Sequence, residues 1–140
     1  MKYLLIIMIL FAGGCSSSNG SAPSGDKEYA AAVSFGSVCC GTVSEDFLKA
    51  FVKKYNQDRN AKISADLAAG CGKEGEFSIL FKLDKQNSDH MEFVVQLEKL
   101  VRDVDAKNKA GNSSSGTLEV KNNVKASEFE FCRLGIKPWL

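Results

Sequence analysis

The sequence predicts an α+β domain in which an antiparallel sheet carries two helices on one of its faces. Three observations predict it. Apolar residues alternate with small or polar ones in separate short runs, two longer stretches repeat their apolar residues at helical spacing, and the order is strand, helix, strand, strand, helix, strand.

The first run, residues 29–38, places Val33 and Phe35 on one face and Ala30, Ala32, Ser34 and Gly36 on the other. It ends at Cys39-Cys40-Gly41. Thr42-Val43-Ser44-Glu45 then offers a capping box, and Phe47, Leu48, Phe51, Val52 and Tyr55 form the apolar stripe of a helix expected to close near Asn56. From Ala61 the chain alternates strictly, with Ile63, Ala65, Leu67 and Ala69 against Lys62, Ser64 and Asp66. After the glycine-rich turn Gly70-Cys71-Gly72-Lys73-Glu74-Gly75, the residues Phe77, Ile79, Phe81 and Leu83 alternate with Ser78, Leu80 and Lys82, which makes a hairpin with matched apolar faces.

A second helix starts near Ser88 or Asp89, with Asp89 and Glu92 as a box, and aligns Phe93, Val94, Leu97, Leu100, Val101 and Val104. Residues 107–116, KNKAGNSSSG, read as a solvated loop. The last stretch breaks phase. Leu118, Val120, Val124 and Ala126 are even-numbered, whereas Phe129 and Phe131 are odd, so one straight strand cannot bury both sets. Either a bulge shifts the register or Asn122-Asn123 turns the chain back as an extra C-terminal strand.

This order of elements resembles the ferredoxin-like plait, an architecture that does not select a function. The resemblance implies that the helices cover one sheet face, leaving Ala32, Ser34 and Gly36 as a shallow surface on the other. That open face is read as solvated and partly covered by the tail containing Trp139, with room for a protein partner.

Ahead of the domain stands MKYLLIIMILFAGGCSSS, with one cation, Lys2, an apolar run over residues 3–12, and small residues ending at Cys15. These features mark residues 1–14 as a signal peptide. Ten apolar residues make about 15 Å of helix, half of the roughly 30 Å hydrocarbon core, so the run is short for a membrane anchor. Ala12-Gly13-Gly14-Cys15 resembles a bacterial lipoprotein signal, which implies that Cys15 is diacylated and becomes the new N-terminus. The Ser/Gly-rich residues 15–26 then form a lipidated tether, and residues 27–140 one domain. Ser16 after the lipidated residue resembles the signal for sorting to the outer membrane. The expected partner is therefore a membrane, held through the N-terminal lipid.

Beyond residue 14 the basic and acidic residues balance, so no basic stripe points to nucleic acid and no polybasic segment to a lipid surface. With Cys15 assigned to lipid, Cys39, Cys40, Cys71 and Cys132 remain, an even set in an exported chain. That favours disulfides over metal or free thiols. Neighbouring side chains on a strand point to opposite faces, so the expected pairs are Cys39–Cys71 and Cys40–Cys132. Cys132 reaches the others only if the chain reverses at Asn122-Asn123.

The alternative is a thiol-dependent metal or redox protein in which the four cysteines hold zinc or copper. The position of Cys39-Cys40 resembles the metal loop of heavy-metal-binding plaits, but Val38-Cys39-Cys40-Gly41 lacks that loop's Met-x-Cys-x-x-Cys spacing. No Cys-x-x-Cys redox motif is present either. The single histidine, His90, at a helix start, reads as a boundary residue, and Glu45-Asp46 as partners of a helix dipole, so no catalytic residue is assigned.

Overall fold

A computed structural model describes residues 26–111 and 116–140. The signal segment, Cys15, most of the tether and part of the 107–116 loop lie outside them. The described chain is α+β, as its periodicity predicts. Strands β1 (Glu28–Ser37), β2 (Ser64–Ala69), β3 (Phe77–Lys82), β4 (Gly116–Lys125) and β5 (Ile136–Pro138) form one sheet in the order β4-β1-β3-β2-β5. Every neighbouring pair is antiparallel.

Helices α1 (Asp46–Arg59) and α2 (Ser88–Ala110) pack on the same face. Leu48, Val52 and Tyr55 from α1 meet Phe93, Leu97 and Val101 from α2 over Ala31, Val33, Phe35, Ile79 and Phe81. An aromatic cluster centres on Phe93, whose ring lies 5.2 Å from each of Phe51, Tyr55 and Phe81. Burial of these residues, each worth about 1.5–3 kcal/mol, sets the position of both helices.

Helix boundaries depart from the sequence expectation for local reasons. The Thr42–Glu45 capping box does not form; Glu45 is the N-cap without a side-chain cap bond, and Ser44 Oγ instead bonds the Asp46 carboxylate at 2.7 Å. Asn56 does not close α1, because its amide is occupied by Ile63, donating to the carbonyl at 2.9 Å and accepting from the N–H at 2.7 Å. The helix runs on to Arg59 and stops at Asn60, which takes the left-handed conformation (φ 50) suited to asparagine. At α2 the cap is Asn87, whose side chain accepts from the Asp89 N–H, and the helix continues through Lys107–Ala110, residues expected in a loop.

The expected reversal at Asn122-Asn123 does not occur, and neither does a register shift. β4 stays paired with β1 from Gly116 opposite Ser37 to Lys125 opposite Glu28, with one interruption at Ala30 and Asn123, where Asn123 has φ 54. Beyond that point both strands have changed face together. Leu118, Val33 and Phe35 lie in the helix-side core, whereas Tyr29 and Val124 join a second buried cluster on the opposite face.

Phe129 and Phe131 are not in a strand. The residues Ala126–Phe129 form a 3₁₀ turn that sends the chain across the helix-free face, where Phe129 and Cys132 bury against Ala32, Ala68 and Leu80. The shallow open surface expected there is thus covered, and Ser78 and Asp66 lie beneath it, each only 4% exposed. The tail then runs beside β2 as β5, with Ile136 opposite Ala68 and Pro138 opposite Asp66. Trp139 turns to the helix side of the sheet, meeting Phe81 edge-on at 6.3 Å, and its indole N–H donates to Glu45 at 3.0 Å.

Candidate functional site

Three features carry chemistry. The first is the set of cysteines. Cys71, just beyond β2, and Cys132, at the end of the crossing segment, are joined as a disulfide with a sequence separation of 61. The expected pairs Cys39–Cys71 and Cys40–Cys132 are therefore corrected. A four-thiolate zinc or copper site is corrected with them, since two of its sulfurs are bonded to each other.

The physical reason lies in the crossing. Arg133 N–H donates to the Gly70 carbonyl and Leu134 N–H to that of Ala69, both at 3.0 Å, which lays Cys132 beside Cys71 without any reversal in β4. Gly70 is required there. Its φ is +71, and a Cβ would stand 3.1 Å from Leu134 Cγ. Cys39 and Cys40 remain as free, exposed thiols in a bend after β1, where strand alternation no longer sends neighbouring side chains to opposite faces.

The second feature is a groove of about 950 Å³ at the same end of the sheet, between the start of α1, the β2–β3 turn and the crossing segment. Val43, Leu67, Phe77 and Leu134 supply apolar lining. Two carboxylates also line its wall: Glu45, occupied by Lys49 and Trp139, and Asp46, which accepts from the Ser44 hydroxyl at 2.7 Å. Lys73 and Arg133 also line it and make no ion pair among the described residues; the Arg133 guanidinium donates to the Gly72 carbonyl at 3.3 Å. The arrangement suits an apolar group bearing an acidic one. Sequence periodicity could not find it, because its walls come from three segments that meet only through the crossing.

The third feature, also missed, is a polar cluster under the helix-free side. Asp66 Oδ2 accepts from Lys27 Nζ and from the Tyr29 hydroxyl, each at 2.8 Å, and Oδ1 pairs with Lys82. Burial pushes the Asp66 carboxyl up, but the hydrogen bonds from Lys27, Lys82 and Tyr29 outweigh it and hold the carboxyl below its ordinary value. Lys27 is held above its own ordinary value, first by that hydrogen bond to Asp66. In the sequence Asp66 is one polar residue in an alternating strand, and only the folded chain places two amines and a phenol around it.

His90 is half-buried and structural. Its Nδ1 accepts from the Asp84 N–H at 2.8 Å, so Nε2, 2.8 Å from the Ala61 carbonyl, carries the proton and donates. Both ring nitrogens are thereby engaged in joining the β3–α2 connection to the entry into β2. Comparison with known proteins finds no match: no family model, no curated protein and no solved structure resembles the chain closely enough to lend it a function.

Proposed function

We propose that this chain is a lipoprotein of the bacterial cell envelope, anchored through a lipid on Cys15 to the outer membrane, whose domain is a non-enzymatic binding or structural module. The observation that carries the reading is the N-terminal sequence: one cation, ten apolar residues and Ala12-Gly13-Gly14 before Cys15, followed by a Ser/Gly tether. The Cys71–Cys132 disulfide supports export, because such bonds persist in oxidising compartments.

The domain is further proposed to be a ferredoxin-like plait with an appended strand. Both helices on one face support this, as does the order β4-β1-β3-β2, with β5 added outside β2. The helix-free face, being covered, no longer suits the partner the sequence suggested for it. A binding role falls instead to the groove beside the start of α1, where Lys73 and Arg133, without an ion pair among the described residues, complement an apolar segment with an acidic group.

The anchor is tested by expressing the full chain and its Cys15→Ser variant, with mass spectrometry of the N-terminal peptide and fractionation of the membranes. A diacylated Cys15 peptide in the outer-membrane fraction and a soluble exported variant are expected. A variant that is exported and still partitions into membranes as before would overturn the reading.

A further inference from the structure

Cys39 and Cys40 have no role in the fold described above. Both are exposed and free, although the chain forms a disulfide elsewhere. They occupy a bend at residues 38–40, closed by a bond from the Gly41 N–H to Ser37 Oγ at 3.3 Å, and Gly41 itself has φ +110. The bend thus has a fixed base, and the two side chains share its exposed turn.

Two chemistries suit adjacent thiols unequally. A disulfide between them closes a small ring around one peptide bond and works against its planarity. A metal ion placed between the sulfurs enlarges that ring, and with metal–sulfur bonds of about 2.3 Å it lets them stand up to about 4.6 Å apart in a linear two-coordinate arrangement. Nucleophilic exchange, the other use of exposed thiols, requires the thiolate at neutral pH. A thiophilic cation instead displaces the protons as it binds.

We propose that Cys39 and Cys40 form a chelating site for a soft monovalent cation, copper(I), whose low coordination number two sulfurs satisfy. Thiolate ligands select copper(I) and zinc among biological metals, and zinc requires four ligands. Among the described residues no group of three or more His, Cys, Asp or Glu is placed to complete such a set. In the binding step two S–H bonds break, two Cu–S bonds form and two protons pass to solvent. No electron is transferred. The site is independent of the lipid anchor and of the four-cysteine cluster that the disulfide removes.

The test uses the full chain carrying Cys15→Ser, so that the tether thiol is absent, titrated anaerobically with copper(I) in competition with bicinchoninate. One ion per chain is expected, with X-ray absorption reporting two sulfur ligands. Cys39→Ser and Cys40→Ser should each weaken binding by about 100-fold or more, because the second sulfur acts at the high effective concentration of an intramolecular ligand. Unchanged Trp139 fluorescence would show that these variants fold. Equal affinity in the Cys39→Ser, Cys40→Ser double variant would overturn the proposal. So would a copper-bridged dimer drawing one sulfur from each chain.

Discussion

Asp66 illustrates how a single buried carboxylate couples the strands it touches. It lies on β2, accepts from Lys27 and Tyr29 at the start of β1 and pairs with Lys82 at the end of β3, so three segments depend on its charge. Its folded-state pKa is depressed. Its contribution is therefore fully present above the ordinary carboxylate pKa and is lost as pH falls through the lower folded value. Asp66→Asn should cost about 2 kcal/mol at pH 7, because the amide retains the volume but replaces charged hydrogen bonds with neutral ones. Denaturant melts at pH 7 and below about pH 4 check the linkage. The gap between parent and variant should shrink at the acid end, and a constant gap would mean that the carboxylate charge is not what holds these strands.

At the scale of elements, the alternation in β2 and β3 and the stripes of α1 and α2 are legible in the sequence, because most of their large apolar residues face the one helix-side core, although β2 and β3 are buried on both faces. Phe77, Ile79, Phe81 and the Phe93-Leu97-Val101 stripe lie where the periods place them. The phase of β4 is misleading because the sequence reveals a change of face but not its partner. β1 changes face opposite it, at Ala30 against Asn123, so the register survives and no turn is needed. The left-handed φ of 54 at Asn123 makes this local geometry testable. Asn123→Gly should leave stability within about 0.5 kcal/mol, whereas Asn123→Val should cost about 1–2 kcal/mol, since a β-branched side chain crowds that conformation. Thermal or urea unfolding of the pair would decide it, and equal effects would remove the strain argument. The outer edge of β4 was equally hidden. Asp105 accepts from the Leu118 N–H at 3.2 Å and Asn108 donates to the Gly116 carbonyl at 2.7 Å, so side chains of α2 occupy backbone groups that an open edge would present.

Across the whole molecule, residues 126–140 act as one strap, which is why the cysteine pairing could not be read from the sequence. The strap crosses the helix-free face, is bonded to β2 through Cys132, covers the β2 edge as β5 and ends with Trp139 held by Phe81 and Glu45. The disulfide fastens its middle and Trp139 its end. Replacing Cys71 and Cys132 together by alanine should cost about 4 kcal/mol on the chain-entropy model for a loop closed over 61 residues. Trp139→Ala should cost about 2 kcal/mol, less than the 3–5 kcal/mol typical of a fully buried large aromatic, because the ring is only partly covered. If the strap is a unit, these losses cannot simply add. Once either fastening is gone, the segment between them frays and the other holds less native structure. The triple variant should therefore fall short of the sum by about 1 kcal/mol, well above the 0.3–0.5 kcal/mol scatter of independent sites. Denaturant midpoints followed by circular dichroism, which does not need the tryptophan, complete this cycle. Strict additivity would show that the crossing segment and β5 are held separately.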